Sequence, residues 1–224
     1  MKKIKFALLL LIAAVTTISL QSCDDDDENN GLYFPTAIVT VKTNPADKVC
    51  YLQLNDETTL FPRNITKSPF GDKEVRAFVN YTQDEQAIDG YSHSVNVNWI
   101  NSIVTKPMAI DMMEENVNKY GNDPLEIVNS WETVVEDGYF TIRFRTYFGN
   151  RDKHVLNLVK GKNDYEVVLY HDARDDFGGY VADGVIAFRL DQLPDTKGET
   201  VDLTLRWKSF TGDKAAVFKY KTRK

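Results

Sequence analysis

Short runs of β-branched and aromatic residues, each followed by turn-forming residues, recur along most of this 224-residue chain. The turn-forming residues are mainly proline, glycine, asparagine and aspartate, which favour backbone angles that a strand cannot use. Within the runs, apolar and polar side chains alternate, and a period of two residues indicates strands buried on one face. The pattern therefore predicts an all-β protein.

The first five runs predict a small barrel domain at residues 32–105. They occupy residues 37–41, 49–54, 58–61, 75–81 and 94–104. Five strands without a convincing amphipathic helix suit an OB-like β-barrel, a fold that often binds oligonucleotides or oligosaccharides on the face of strands 2 and 3. Tyr51 and Phe61 would lie on that face, although aromatic residues in strands more often belong to the core and fold alone does not give function.

The runs after residue 131 predict a second domain at residues 131–224. An Asp137-Gly138 turn precedes the alternating Phe140, Ile142 and Phe144, which indicates a β-hairpin. Seven short strands favour an antiparallel Ig-like β-sandwich. They are expected at residues 131–136, 140–145, 155–160, 165–170, 184–190, 201–207 and 215–221. Arg143 and Arg145 face outward, where they either bind an anion or, more commonly for such residues, pair with neighbouring acids.

Residues 106–130 are predicted to link the two domains. Lys106-Pro107 ends the last barrel strand, and residues 108–115 can form a turn or two of helix before the turn-forming residues 120–124. Met112 and Met113 are expected to fill gaps between the domains, because methionine adapts to irregular spaces. An exposed surface for a partner is the alternative interpretation of this methionine pair.

The first 22 residues carry the pattern of a secretory signal peptide, in which three lysines precede an apolar segment, residues 6–20. That segment has 15 residues, whereas about 20 are needed to cross the hydrocarbon core of a bilayer. It ends on a motif that resembles a lipoprotein cleavage and acylation site, the lipobox Leu20, Gln21, Ser22 and Cys23. Cys23 is therefore expected to begin the mature chain and to carry the lipid.

Acylation of Cys23 would anchor the protein to a lipid bilayer. Each buried methylene of an acyl chain such as palmitate contributes about 0.8 kcal/mol, and two or more chains hold a protein stably. Residues 23–31 are expected to form a solvated acidic leash. Its acidic run, which resembles the lipoprotein-export signal of Bacteroidetes, consists of Asp24, Asp25, Asp26, Asp27 and Glu28. The resemblance implies an outer-membrane protein that faces the cell surface.

Charge and cysteine content exclude two further classes of protein. The formal net charge is −6 and becomes −9 once the three lysines of the signal peptide are removed. A surface that binds nucleic acid needs lysine and arginine to neutralise phosphates, so nucleic acid is not expected as a partner. With Cys23 acylated, Cys50 is left alone and no intramolecular disulfide can form. Cys50 lies in a strand-like run, where a free thiol is usually a small buried hydrophobe.

The sequence motifs of known catalytic and metal centres are missing. There is no Gly-x-Ser-x-Gly elbow, phosphate-binding glycine loop, His-Glu-x-x-His or paired-cysteine metal motif. His93 and His154 fall at strand beginnings, where half-exposed imidazoles are common. The one candidate cluster for a metal or a general base comprises His171, Asp172, Asp175 and Asp176, with Asp183 further along. Its spacing matches no calcium loop, and a solvated loop explains the same residues. No cofactor, metal or enzymatic activity is therefore predicted.

Eight short motifs, in one order along nearly the whole mature chain, resemble the NigD-like lipoproteins. They are RAFVNY (76–81), NWI (98–100), DPLEIVNSW (123–131), EDGY (136–139), RFRTY (143–147), YHD (170–172), LPDT (193–196) and LRWKSF (205–210). The resemblance implies an N-terminal OB-like domain, a C-terminal β-sandwich and a lipid anchor. It also implies a link to a nigrescin-type bacteriocin operon, in which such a protein was proposed to confer immunity. It supplies no catalytic residue.

Three hypotheses about function follow. The first is a non-enzymatic outer-membrane lipoprotein that binds an envelope or extracellular partner, with bacteriocin immunity as its specific form and a protein toxin as the partner. The alternative is a glycan-binding surface lipoprotein of an uptake system, which would use the barrel face. The third is an envelope hydrolase centred on His171.

Overall fold

The computed structural model describes residues 36–149 and 153–223. The predicted signal peptide, lipobox and acidic leash, including Cys23, lie outside these residues. Within them, helical structure consists of a 3-10 turn at Met113–Glu115 and a short helix, α1, at Asn116–Tyr120. Neither combines the length and the hydrophobicity that a helix needs to span a membrane.

The first five strands close into a barrel. They are β1 (Ala37–Thr43), β2 (Cys50–Gln53), β3 (Thr59–Pro62), β4 (Val75–Asp84) and β5 (His93–Ser102). They pair in the order β1-β2-β3-β5-β4, and β4 returns to β1 to complete the ring. Alternate residues such as Val39, Leu52 and Val79 point inward and fill the interior. The predicted five-stranded OB-like barrel is confirmed.

The remaining strands form two sheets of a sandwich. They are β6 (Val104–Pro107), β7 (Glu126–Ile127), β8 (Val134–Glu136), β9 (Tyr139–Phe148), β10 (Val155–Lys160), β11 (Glu166–Asp172), β12 (Tyr180–Arg189), β13 (Val201–Ser209) and β14 (Gly212–Tyr220). One sheet has the order β10-β11-β13-β14 and the other β6-β12-β9-β7, with β8 also paired to β9. Phe140 and Ile142 of one sheet and Leu203 and Leu205 of the other are in the core between them. The predicted sandwich and its β8–β9 hairpin are confirmed.

Two sets of pairings differ from the pattern expected from the sequence. β11 lies parallel to β13, and β12 lies parallel to β6. Alternation shows which face of a strand is buried, but it does not show the direction of the neighbouring strand. The segment 106–130, expected as a linker, contributes β7 and the end of β6 to a sandwich sheet. β7 has only two residues, which are too few to display a period of two.

The barrel and the sandwich share a buried seam. Ile38 and Ile103 pack against Ala187 in its apolar part. Arg76 of β4 is fully buried there, and its guanidinium donates hydrogen bonds to Oγ1 of Thr40 at 3.0 Å and to Oγ1 of Thr141 at 3.4 Å. Since Thr40 belongs to the barrel and Thr141 to the sandwich, one side chain joins the two domains.

Further polar contacts surround the Arg76 side chain. Nη2 of Arg76 lies 3.5 Å from Oε2 of Glu136, and its guanidinium carbon lies 5.8 Å from the ring centroid of Tyr139. Burial lowers the pKa of Arg76, and the nearby carboxylates oppose that effect. Lys42 of the barrel donates a hydrogen bond to Asp137 of the sandwich at 2.7 Å. Charged groups from both domains therefore pair with one another at the seam.

Candidate functional site

The segment from residue 108 to residue 125 is anchored at both ends to the sandwich, and α1 within it packs against β10 and β11. Met108 and Leu125 are both buried in the sandwich core. Backbone hydrogen bonds fix the same ends, from the amide of Ala109 to the carbonyl of Leu158 and from the amide of Leu125 to the carbonyl of Lys208. The residues between these anchors are thereby held on the outside of the sandwich.

Hydrogen bonds within this segment fix a compact fold that leaves its apolar side chains exposed. The buried Asn116 accepts a hydrogen bond from the amide of Met112 and donates one to Oδ1 of Asp111. The hydroxyl of Tyr120 donates to the carbonyl of Ile110 at 2.7 Å. Four apolar side chains remain in solvent and form what we call the apolar ridge: Ile110 (72% exposed), Met112 (44%), Met113 (75%) and Val117 (47%).

The expectation that Met112 and Met113 fill gaps between the domains is wrong. Both side chains are exposed, and Met113 adopts a positive φ of 57°, which a non-glycine residue rarely does. Residues before and after the pair are tied to the sandwich core, so the pair cannot turn inward. Adaptable methionine side chains clustered on a surface are typical of protein-binding sites.

A groove of about 1030 Å³ lies beside the apolar ridge. The residues that line it include Asp111, Met113 and Glu114 of the segment and Glu166, Val168, Tyr170 and Arg206 of the sheet. Glu166 is buried and accepts hydrogen bonds from Nε of Arg206 at 3.0 Å and from the amide of Lys162 at 3.2 Å. Burial alone would raise the pKa of Glu166, but these hydrogen bonds hold it below its ordinary value. The groove therefore has a polar, charged floor next to an apolar rim.

His171 takes part in a buried chain of polar groups. Its Nε2 lies 2.9 Å from Nδ1 of His154, and Nε2 of His154 lies 3.3 Å from Oδ2 of Asp176. The carboxylate of Asp176 also accepts a hydrogen bond from the amide of Gly149, and the ring of Phe148 stacks on His154. The side chain of His154 is only 2% exposed, so the expectation of a half-exposed imidazole is wrong for this residue.

The other members of the predicted His171 cluster lie apart from this chain. Asp172 follows His171 on the opposite face of β11 and accepts a hydrogen bond from the amide of Arg174. Asp175 is exposed at a positive φ of 60°. Among residues 36–149 and 153–223, no group of three or more histidine, cysteine and acidic side chains has the arrangement of a metal site. The geometry favours a structural role for His171.

Asp183, the candidate acid that is furthest from His171 in the sequence, lies between two arginines. Its carboxylate accepts hydrogen bonds from Nε of Arg143 at 2.8 Å and from Nε of Arg145 at 2.6 Å. A hydrogen bond from Arg145, together with those from Arg143, lowers the pKa of Asp183. The expected pairing of the two arginines with neighbouring acids is confirmed.

The buried histidine predicts a loss of stability in acid. Burial, assisted by the neighbouring His154, lowers the pKa of His171 below its ordinary value of 6.5. The unfolded chain then binds more protons than the folded one as the pH falls through 6.5, so the free energy of unfolding should decrease there. Asp123 opposes this lowering of the pKa of His171 without cancelling it. Thermal unfolding from pH 8 to pH 5 measures it.

A glutamine at position 171 removes the titrating group. The midpoint of thermal unfolding of His171→Gln should depend less steeply on pH than that of the parent chain. His93→Gln is the matched control, because His93 is exposed, and its pH profile should follow the parent's. Equal slopes for all three proteins would show that His171 does not cause the acid sensitivity.

Tyr51 and Phe61 lie on the outer face of the barrel. Their neighbours Cys50, Leu52 and Leu60 point inward and belong to the core cluster, which Tyr51 and Phe61 do not join. Both aromatic rings contact a third, Tyr91, with ring centroids 5.8 Å and 5.2 Å apart. The interpretation of these two residues as core is therefore wrong. Sequence reasoning missed Tyr91 because it lies in a loop, where no alternation marks its orientation.

Cys50 is the expected small buried hydrophobe. Its side chain has no exposed surface, and burial raises the pKa of its thiol to about 11. A thiol with so high a pKa is almost entirely protonated at neutral pH and is a poor nucleophile. This confirms the core assignment of Cys50.

Both halves of the chain match described protein domains. Residues 38–103 match the NigD-like N-terminal OB domain, and residues 108–220 match the NigD-like C-terminal β-sandwich domain. The second match begins within the segment expected as a linker, in agreement with the pairing of β7 in the sandwich. No curated protein sequence is significantly similar to the chain.

Solved structures with the same architecture come from species of Parabacteroides and Bacteroides. A toxin-related protein of Parabacteroides distasonis is 34% identical, with a TM-score of 0.69 over 83% of this chain and 92% of that one. A protein of Bacteroides vulgatus is 22% identical, with a TM-score of 0.67 over 82% of this chain and 89% of that one. A NigD-like immunity protein of Bacteroides caccae is 18% identical, with a TM-score of 0.57 over 84% of this chain and 99% of that one. The last two likenesses concern the fold alone.

Proposed function

This chain belongs to the NigD-like family, and from that premise we propose that it is a non-enzymatic outer-membrane lipoprotein that protects its cell by binding a protein toxin. The observation that carries the proposal is the apolar ridge, whose side chains are exposed on a segment fixed at both ends beside a charged groove. Protection by binding requires no turnover, only an anchor, a rigid scaffold and a surface that a toxin can contact.

The ridge and the groove together offer the contacts of a protein interface. Protein interfaces combine an apolar centre with a polar rim, and methionine is among the residues enriched there. The ridge supplies the apolar centre through Met112 and Met113, and the groove supplies fixed charges through Glu166 and Arg206. Because the segment is held by its buried anchors, little conformational freedom is lost on binding. A protein toxin is the partner that fits both parts.

The lipid anchor is supported by the Leu20-Gln21-Ser22-Cys23 motif and the acidic run behind it. Acylation of Cys23 would hold the ridge at the envelope, where a toxin arrives. The anchor is as necessary to the proposal as the ridge, since a protein released from the membrane is diluted into the medium.

Survival of a sensitive strain tests the proposal. Cells that express the chain should survive a nigrescin-type bacteriocin better than cells with an empty vector, and Cys23→Ala should abolish the gain. Met113→Asp should reduce the gain by about tenfold, because it places a charge in the apolar ridge. Aspartate tolerates the positive φ of position 113 better than methionine, so the fold is not strained.

Val181→Lys is the control for an added charge, because Val181 is exposed on the other sheet of the sandwich. This variant should protect as well as the parent chain. Equal sensitivity of all strains would refute toxin protection, and full protection by Met113→Asp would remove the ridge from the binding surface.

A further inference from the structure

Three aromatic rings cover the outer face of β2 and β3. Tyr51 and Phe61 each contact the ring of Tyr91, with interplanar angles of 50° and 48°. The inward face of the same strands is filled by other side chains, so the three rings are not needed to complete the barrel core. We call this cluster the aromatic platform. It is on the barrel, whereas the apolar ridge is on the sandwich.

Hydrogen bonds fix Tyr91 in its place although it belongs to a loop. The amide of Ser92 donates to the carbonyl of Thr59 at 3.1 Å, and the amide of Thr59 donates to Oγ of Ser92 at 3.1 Å. Ser92, which follows Tyr91, is thereby tied to β3 by one hydrogen bond that it donates and one that it accepts. The ring of Tyr91 is therefore preorganised, and a ligand that stacks on it does not have to order the loop.

A groove of about 490 Å³ runs along the aromatic platform. It is lined by Asn44, Pro45, Asp47, Tyr51, Gln53, Thr59, Asp89, Gly90 and Tyr91. These residues place amide, hydroxyl and carboxylate groups around two of the rings. The described residues that line the groove include two carboxylates and no lysine or arginine.

From this combination we infer that the aromatic platform binds a neutral oligosaccharide. The apolar C–H face of a sugar ring packs on an aromatic ring, and its hydroxyl groups pair with amides and carboxylates such as Asn44 and Asp89. Sulfated, phosphorylated or acidic glycans and nucleic acids require cationic side chains, which these lining residues lack. The charge of the groove thus disfavours anionic ligands.

The three adjacent rings favour a chain of sugars over a single one, because a chain can pack on more than one ring. Gln53 also lines a neighbouring cavity of about 170 Å³, but the cationic side chains of Lys42, Lys221 and Arg223 line that cavity too. A longer neutral chain is therefore expected to extend over all three rings of the aromatic platform instead. We therefore expect hexasaccharides to bind more tightly than the corresponding disaccharides.

Calorimetry with the soluble chain of residues 33–224, which forms one compact unit, tests the inference. The probes are cellohexaose, maltohexaose, xylohexaose and mannohexaose, their disaccharides, and a heparin hexasaccharide as the sulfated comparison. At least one neutral hexasaccharide should bind, at least tenfold more tightly than its disaccharide and than heparin. The absence of binding by all four neutral hexasaccharides, or a preference for heparin, would overturn the inference.

Variants locate the site. Tyr91→Ala should weaken binding of the selected hexasaccharide by about tenfold or more, whereas Tyr91→Phe, which keeps the ring, should stay within about threefold of the parent chain. Phe210→Ala removes an exposed aromatic ring from the sandwich and should change nothing. In the unaltered protein, titration should shift the NMR signals of the Tyr51, Phe61 and Tyr91 rings. Unshifted ring signals, or parental affinity of Tyr91→Ala, would place any sugar site elsewhere.

Discussion

Replacing Arg76 with alanine should lower the free energy of unfolding by about 3–5 kcal/mol, the range found when one member of a buried charged network is removed. Arg76 has no exposed surface and donates hydrogen bonds to Thr40 and Thr141 across the seam. Alanine leaves both hydroxyls and Glu136 without their partner and opens a cavity between the domains. Urea unfolding of residues 33–224 measures the loss.

Two further variants separate the causes of that loss. Arg76→Met fills most of the volume without the charge, so it should recover part of the stability if packing at the seam matters. Arg63→Ala removes a partly exposed barrel arginine that lies 3.4 Å from Asp84 and donates a hydrogen bond to Oγ of Ser94 at 2.7 Å, and it should lower stability by about 1 kcal/mol. If Arg76→Ala is as mild as Arg63→Ala, Arg76 does not hold the domains together.

Replacing Gly121 with alanine should lower the free energy of unfolding by about 2–4 kcal/mol, because it combines backbone strain with a collision. Gly121 ends α1 with φ 81° and ψ 171°, a conformation almost confined to glycine. A Cβ at this position would lie 2.5 Å from the carbonyl oxygen of His171 and 2.8 Å from Cα of Asp172. Neither backbone atom belongs to a flexible side-chain end, so α1 has to move away from β11.

Gly198→Ala is the matched control for the Gly121 variant. Gly198 has a similar φ of 85°, but an added Cβ meets no atom within 4 Å. Its substitution should therefore show the strain alone, about 1–2 kcal/mol. Hydrogen exchange of residues 116–121 should accelerate in Gly121→Ala and stay unchanged in Gly198→Ala. Equal losses for the two variants would show that the contact between α1 and β11 is unimportant.

The longer strands of both domains could be predicted from the sequence because their side chains alternate over five or more residues. In β13, the inward residues Leu203, Leu205 and Trp207 alternate with Asp202, Thr204 and Arg206. The barrel, the hairpin at Asp137-Gly138 and the buried Cys50 followed from the same local patterns. Each of these features depends on neighbours in the chain.

The predictions that were wrong concern side chains whose exposure depends on residues that are distant in the sequence but adjacent in the fold. Met112 and Met113 are exposed because Met108 and Leu125 occupy the core on either side, which composition does not reveal. His154 is buried because Phe148 and His171 enclose its ring. Tyr91 reaches the barrel face through hydrogen bonds between a loop and β3. Both candidate surfaces are alternatives that the sequence leaves open, and only the contacts made in the folded chain decide between them and the core interpretation.

The seam around Arg76 also sets how the two candidate surfaces act together. Charged and apolar contacts join the barrel to the sandwich. The aromatic platform and the apolar ridge are therefore expected to stay at a fixed separation and orientation. A glycosylated protein long enough to touch both would gain avidity from the second contact through its high effective concentration. A shorter ligand would occupy one surface and leave the affinity of the other unchanged.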